Sequence, residues 1–482
     1  MATLPFDAPT RAFIGGAFSP AAGGSTFPVL DPASGALLAD VADCGAAEAL
    51  AALDAACAAQ RDWAATPPRE RSELLRRAFE LMIERRDPLA RLIVLENGKA
   101  LPDATGEITY AAEFLRFYAE EAVRNRGEFS TAPGGANRLL VLHQPVGPCL
   151  LVTPWNFPQA MLTRKLGPAL AAGCTVVAKP AEDTPLSALA LAELFAEAGL
   201  PEGVMNVVPT NRPAEVVGAL LSDSRLRKLS FTGSTEVGRL LLAQAAPGVV
   251  NTSVELGGNA PFLVFADADL DAAVAGAMVA KMRHGGETCT AANRFYVQAP
   301  VAAEFSRRLA AAMGGLKVAP GLQEGSEVGA LVNAAAIEKV ERLVDGALAA
   351  GARALVGGRR VDRAGYFYPP TVLGDVAPEA AILAEEIFGP VAPISAFDDE
   401  EEAIARANDT EFGLVAYLYT GDLGRGLRVA EALETGMVGL NRGLVSDPAA
   451  PFGGMKQSGL GREGGHEGME EYLETKYVAL SW

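Results

Sequence analysis

Cys289 stands in the run His284-Gly285-Gly286-Glu287-Thr288-Cys289-Thr290. A thiolate is a strong nucleophile, and two glycines just upstream let backbone approach a bound molecule closely. Glu255 closes a strand-like stretch and precedes Leu256-Gly257-Gly258. A carboxylate at a strand end beside permissive backbone suits a general base. Taken singly, each has a plainer reading: a cysteine is usually a small buried apolar residue, and a glutamate at a turn is usually solvated.

Three further sites suit a phosphorylated or hydroxyl-bearing ligand. Gly233-Ser234-Thr235 follows a strand-like run and opens a helix, whose free amides suit a phosphate. The alternative there is an ordinary capped helix start. Lys179 ends another strand-like run and Glu182 follows it. A carboxylate beside a ribose accepts from its hydroxyls and repels a 2′-phosphate; the bland alternative for both is a solvated loop charge. A formal GxGxxG occurs at Gly459, Gly461 and Gly464, but too little chain follows it for a strand-helix-strand unit. No Walker A or GxSxG run is present, which argues against phosphoryl transfer and serine hydrolysis. With three histidines and no HExxH or CxxC, no metal site is expected.

The elements that must position these groups follow from periodicity. Short apolar runs at Pro148–Pro154, Thr175–Pro180, Met205–Pro209 and Lys228–Gly233 alternate with helical stretches near 158–172, 185–198, 213–222 and 235–246. Such alternation predicts a parallel sheet with right-handed crossovers, binding its ligand beyond the carboxyl ends of its strands. Thr153, Pro154, Trp155, Asn156, Lys179, Glu182, Gly233 and Ser234 should then gather on one edge. Helices are expected over Ala46–Glu96, broken at Pro67-Pro68, and near Glu107–Arg124. A second alternating region runs from Ala260 to about Gly443, and a strand-like tail spans Tyr477–Trp482.

Bulk composition narrows the class. The 482 residues are 50% hydrophobic and 21% charged, fitting a globular chain of two or three domains. A net charge of -18 repels polyanions, so no nucleic-acid partner is expected. The acidic run Asp398–Glu402 reads as a helix start. Five scattered cysteines suit a reducing, cytoplasmic setting rather than a disulfide framework. Met1–Phe13 lacks the basic start and apolar core of a secretory signal. Leu139–Leu162 carries no Lys, Arg, Asp or Glu, yet its four prolines oppose a membrane-spanning helix, and no membrane partner is expected.

In order along nearly the whole chain, Pro154-Trp155-Asn156-Phe157-Pro158, Lys179-Pro180-Ala181-Glu182, Phe231-Thr232-Gly233-Ser234-Thr235, Glu255-Leu256-Gly257-Gly258, Cys289, Glu385-Glu386-Ile387-Phe388-Gly389-Pro390 and Pro451-Phe452-Gly453-Gly454 resemble the aldehyde dehydrogenase superfamily. The stretches Glu107–Phe114, Lys179–Leu191 and Gly459–Gly464 with the Glu471–Tyr477 tail resemble its succinate-semialdehyde branch most. The resemblance implies an α/β fold: a Rossmann-type parallel-sheet cofactor domain (1–124 and 147–256), an α/β catalytic domain (257–457) and a small β oligomerisation flap (125–146 and 458–482). The flap implies a homodimer or homotetramer.

The same resemblance implies roles. Cys289 attacks an aldehyde carbon, Asn156 and the Cys289 N–H hold the oxyanion, and Glu255 activates water against the resulting thioester. The cofactor is a nicotinamide dinucleotide, NAD in preference and NADP as the alternative. Glu386 and Phe388 would hold its nicotinamide end, Gly233 and Ser234 its pyrophosphate, and Lys179 and Glu182 its adenosine ribose. Thr153, Pro154, Trp155, Gly238 and Leu256 complete that surface. Arg164, Arg283 and Ser446 would bind a distal substrate carboxylate. Three positions depart from the pattern. Glu287 replaces the usual Gln and would raise the thiol pKa if turned inward. Ala291 excludes a vicinal cysteine pair, and Arg442 adds charge near Ser446. Glutarate semialdehyde or another short acidic aldehyde remains an alternative, as do a CoA-acylating enzyme, which Glu255 argues against, and a catalytically silent binding protein.

Overall fold

The computed structural model describes residues 4–482. Met1 to Thr3, the start of the stretch read above for a secretory signal, lie outside the described residues.

Two sheets organise the chain. The first has eight strands, in the order Ala17–Ser19, Ala12–Ile14, Met205–Val207, Val176–Lys179, Cys149–Val152, Lys228–Thr232, Asn251–Glu255 and Gly459–Leu460. Its five central strands are parallel, with Cys149 opposite Val176 and opposite Lys228. The expected alternation is what forms. Helices Ala160–Ala172, Pro185–Glu197, Pro213–Leu221 and Thr235–Ala245 link or follow these strands. Proline begins two of them, and Gly173 ends the first in a left-handed conformation, so each helix has a chemical start or stop. Helix Ala46–Ala65 lies on the sheet, while Pro68–Glu84, Arg86–Asn97 and Leu101–Glu121 form an outer layer packed on the crossover helices Ala160–Ala172 and Pro185–Glu197. Leu75, Ala78, Met82, Ile108, Ala111 and Leu115 fill that contact at helical spacing.

The second sheet has seven strands, in the order Arg353–Val356, Thr371–Gly374, Val391–Phe397, Ala292–Gln298, Ala260–Val264, Val415–Tyr419 and Met437–Leu440. All its pairings are parallel except that of the edge strand Arg353–Val356. Phe262, Phe295, Phe305 and Tyr417 pack at its centre. The chain passes from the first sheet to the second within Leu256–Asn259.

A third, three-stranded sheet joins Leu473–Leu480 to the hairpin Glu128–Thr131 and Arg138–Pro145. Its two outer strands are mostly exposed and its central strand Arg138–Pro145 is half-buried, and Phe129 stacks on Trp482. The tail strand thus begins earlier than its apolar run suggests, because its backbone pairs with Arg138–Pro145 along the full length. The Gly459–Gly464 run forms no dinucleotide turn. Gly459 and Leu460 instead pair antiparallel with Glu255 and Val254 and close the first sheet. Among the described residues, no helix is long and apolar enough to cross a membrane, and no cluster of His, Cys, Asp and Glu suits a metal ion.

Candidate active site

The carboxyl ends of the first sheet meet the start of the second around a cavity of about 190 Å³. Pro154, Trp155 and Asn156 enter from the loop after Cys149–Val152. Thr232, Gly233 and Ser234 enter after Lys228–Thr232. Leu256 and Gly257 follow Glu255, and Cys289, Glu386 and Phe388 come from the second sheet's connections. Ser234 caps the helix Thr235–Ala245, its hydroxyl accepting from the Val237 N–H, and leaves earlier amides of that turn facing outward.

The nucleophile loop is held by close backbone approach. A Cβ on Gly258 would lie 2.6 Å from the Cys289 carbonyl oxygen, and one on Gly286 would lie 2.2 Å from that of Gly389. Glycine is required at both positions. The second contact docks the loop carrying Glu386 and Phe388 against the loop carrying Cys289. The Trp155 and Phe388 rings then meet edge to face, 5.4 Å apart.

Asn156 is buried, and its Nδ2 donates to the Glu287 carbonyl at 3.0 Å. Its loop is fixed from behind by residues the sequence reading did not single out. Asn97 Nδ2 donates to the Trp155 carbonyl at 3.0 Å, and Lys99 Nζ donates to the Asn156 carbonyl at 2.7 Å. Lys99 also pairs with Glu107 at 2.6 Å, both side chains being fully buried. Glu107 in turn accepts from the N–H groups of Gln159 and Ala160, at 3.0 and 3.3 Å.

Burial dominates the electrostatics. It pushes the Cys289 thiol up to about 12, while Arg164 and Arg283 pull it down and Glu386 and Glu255 push it up. Glu255 is 3% exposed, and its Oε2 has no hydrogen-bond partner. Burial first, and then the nearby Glu463 carboxylate, hold Glu255 well above the ordinary carboxylate range. Burial also lifts Glu386 to about 7, against a hydrogen bond from the Gly258 N–H at 3.1 Å. Glu287 does not turn toward the thiol. Its Oε1 accepts from the Val332 N–H at 3.3 Å and its Oε2 lies 3.9 Å from His284, so its backbone carbonyl is what faces the site.

The remaining expected residues fall into two groups. Thr153 bonds through its N–H to the Lys179 carbonyl at 3.2 Å, tying adjacent strand ends. Lys179 and Glu182 pair at 3.3 Å, outside the cavity lining, with Lys179 nearly buried and Glu182 partly exposed. Gly238 sits behind Leu256. On the other side, Arg164 is 1% exposed and lies 2.5 Å from Glu463, so it is not an open surface clamp. Its guanidinium also covers the Phe452 ring at 4.2 Å. Arg283 lies over the rings of Phe157 and Tyr110, at 5.0 and 5.6 Å. Both arginines act electrostatically on Tyr110 and on Cys289. Ser446 is half-buried in the loop after Met437–Leu440, and Arg442 folds onto that loop, donating to the Leu444 carbonyl at 2.7 Å.

A protein-family model described as the aldehyde dehydrogenase family matches residues 18–478. The chain is 58% identical over 445 residues to the succinate-semialdehyde dehydrogenase of Paenarthrobacter nicotinovorans, covering 92% of this chain and 99% of that one. It is 52% identical to a glutarate-semialdehyde dehydrogenase of Pseudomonas putida, covering 98% of each. The solved structure of an NADP-dependent enzyme of E. coli superposes with a TM-score of 0.97 at 50% identity, over 98% of both chains.

Proposed function

The chain belongs to the aldehyde dehydrogenase family, and on that premise we propose that it oxidises a short aldehyde carrying a distal carboxylate, succinate semialdehyde foremost, to the dicarboxylic acid. The observation that carries this reading is the pair of guanidiniums near Cys289, Arg164 over the Phe452 ring at 4.2 Å and Arg283 over the Tyr110 and Phe157 rings at 5.6 and 5.0 Å, both of which pull the thiol pKa down. Glu463 already serves Arg164 and Lys165 together, and an uncharged aldehyde would leave Arg283 without the anion it suits.

The cavity's lining suits the nicotinamide and pyrophosphate end of a nicotinamide dinucleotide. Thr232 Oγ1 and Asn156 Oδ1 are buried there without partners, and the helix start at Ser234–Thr235 offers free amides. Gly233 and Ser234 would take the pyrophosphate, Glu386 and Phe388 the nicotinamide end, and Lys179 and Glu182 the adenosine ribose. When bound, the cofactor supplies the hydride acceptor.

Cys289 gives up its proton to solvent and its Sγ adds to the aldehyde carbon, while the C=O electron pair moves to the oxygen beside the Asn156 amide and the Cys289 N–H. One such donor is worth about 3 kcal/mol of barrier. Loss of hydride from the thiohemiacetal leaves a thioester on Cys289. Glu255 then takes a proton from water, which adds to the thioester carbon. The C–S bond breaks and the thiol is restored. A carboxyl held well above its ordinary range is a better base at neutral pH than an ordinary one.

NAD is the preferred cofactor in this reading, since Glu182 disfavours a 2′-phosphate. Its pairing with Lys179 softens that effect and keeps NADP as a substrate. Glutarate semialdehyde is the second candidate, supported by the likeness to the P. putida enzyme. The same proposal divides the chain into a cofactor domain (1–124 and 147–256), a catalytic domain (257–457) and bridging segments (125–146 and 458–482). It pairs two or four cytoplasmic copies through the exposed flap, where Phe129, Tyr477 and Trp482 are open to a partner.

Steady-state rates with succinate semialdehyde and butanal, each with NAD and NADP, test the reading. The expected result is a kcat/KM at least 100-fold higher for the semialdehyde, about the worth of one charge-assisted pair, and a higher value with NAD. Equal values for the two aldehydes would remove the carboxylate clamp.

A further inference from the structure

Glu386 lines the cavity from a segment with little regular structure of its own. The four-residue helix Ala381–Ala384 stops at Glu385, and Phe388 takes a φ of 54°, a left-handed conformation that a bulky side chain rarely adopts. Between them Ile387 is fully buried, so its N–H needs a partner inside the protein. That partner is a side chain from another loop.

Asn293 is buried at the second position of the strand Ala292–Gln298, four residues past Cys289. Its Oδ1 accepts from the Ile387 N–H at 2.9 Å, and its Nδ2 donates to the Glu385 carbonyl at 2.9 Å. One planar amide thus grips the backbone immediately before and immediately after Glu386. Only a group with an acceptor and a donor side by side can serve an N–H and a C=O at once, and a carboxylate of the same shape cannot. The same Nδ2 donates to Asn259 Oδ1 at 2.6 Å, and Asn259 Nδ2 donates to the Leu383 carbonyl at 2.9 Å. Both amides are buried with all their polar atoms bonded, which makes the pair rigid.

The pair joins three stretches far apart in the chain. Asn259 follows Glu255, Asn293 follows Cys289, and both amides hold Leu383–Ile387. The Glu386 carboxyl is placed from the same junction, since its Oε1 accepts from the Gly258 N–H at 3.1 Å. Gly258 is also the residue on which the Cys289 carbonyl oxygen packs. The backbone and the carboxyl of Glu386 are therefore both referenced to the nucleophile loop.

We propose that Asn293, braced by Asn259, is a positioning residue for the cofactor: its amide sets Glu386 at the place where the nicotinamide ribose is held. Neither amide touches the cofactor in this role. The proposal rests on the reading above that Glu386 takes the nicotinamide end, and adds to it the element that puts Glu386 there.

The test reads the two ends of the cofactor separately in the full-length enzyme. Dissociation constants are measured for the reduced cofactor that the wild type prefers, NADH or NADPH, and for its adenosine half, ADP or 2′-phospho-ADP. In Asn293→Ala the Kd of the whole cofactor is expected to rise about tenfold, the worth of one hydrogen bond to a charged group, while that of the half stays within about twofold. Asn293→Asp, which keeps the acceptor for Ile387 but sets an oxygen against the Glu385 carbonyl, should behave alike. Asn259→Ala leaves both of those bonds in place and should raise the whole-cofactor Kd about threefold; it serves if the Asn293 variants do not fold. In a Glu386→Ala background, Asn293→Ala should add less than about a twofold change, because the two residues act as one unit. An equal rise for the whole cofactor and its half would mean that Asn293 only supports the fold, and would overturn the proposal. Additive effects of Asn293→Ala and Glu386→Ala, or an unchanged whole-cofactor Kd in the variant that folds, would overturn it as well. A Glu386→Ala enzyme that binds the whole cofactor as tightly as wild type fails earlier, at the reading of Glu386, and takes the proposal with it.

Discussion

Replacing Lys99 by methionine separates two roles that the wild-type side chain combines. Lys99 Nζ lies 2.6 Å from Glu107 and 2.7 Å from the Asn156 carbonyl, and 4.4 Å from the centre of the Phe157 ring. Methionine preserves the apolar stem and roughly the length but removes the charge. Glu107 is then a buried carboxylate without its cation, and breaking such a pair from one side costs roughly 3–5 kcal/mol. The Asn156 carbonyl loses its charge-assisted anchor, so the proposed oxyanion donor is free to drift. A misplacement of about 1 Å costs on the order of 100-fold in rate. Lys99→Met should therefore lose both stability and kcat. In the double variant Lys99→Met with Glu107→Gln, the orphaned charge is gone, while the remaining acceptor oxygen still serves the Gln159 and Ala160 N–H groups. Stability should recover to within about 2 kcal/mol of wild type, yet kcat should stay low. Denaturant unfolding and steady-state kinetics on the three proteins read the two quantities separately. Recovery of kcat together with stability would refute the reasoning, because Lys99 would then act on the fold alone.

Two other outcomes follow from the same geometry. Gly258→Ala puts a Cβ 2.6 Å from the Cys289 carbonyl oxygen, so kcat should fall about 100-fold with a modest drop in Tm; unchanged kcat would show that the loop yields without moving the thiol. Alkylation of the cofactor-free enzyme by iodoacetamide should track the thiolate. With the thiol pushed up to about 12, the rate at Cys289 should rise about tenfold per pH unit through the neutral range, and a plateau near pH 8 would contradict that environment.

Much of the first sheet is legible in the sequence because its strands are short apolar runs separated by helices of matching length. Sheet topology then forces Asn156, Gly233 and Glu255 to one edge, since Thr232 stands opposite Glu255 and Phe231 opposite Val152. The catalytic candidates are local in the same sense, since the glycines that shape each turn are their chain neighbours. What stays hidden is what reaches those residues from a distance. Lys99 and Glu107 lie near a helix junction with no local sign that they brace a loop more than fifty positions on. Glu463 meets Lys165 across 298 positions, and only the folded chain makes Arg164 an internal ion-paired group instead of a helix-surface one. Glu287 is undecided in the sequence, since only an inward turn would bring its carboxyl to bear on Cys289. Its proximity to Cys289 in sequence suggests an effect on the thiol, but the turn between them points its carboxyl at Val332.

The closing strand Gly459–Leu460 has a consequence for how the molecule comes into being. It hydrogen-bonds beside Glu255, and Ser458 clasps Gly257 from 201 positions away. Translation delivers residues in order, and amino-terminal portions fold while the remainder is still being made. A nascent chain can thus assemble most of the first sheet with the outer side of Asn251–Glu255 still an unpaired, sticky margin. The Glu255 carboxylate acquires its final surroundings only once residues 458–460 have been made. A chain stopped before Ser458 would leave that edge strand bare and Gly257 unclasped.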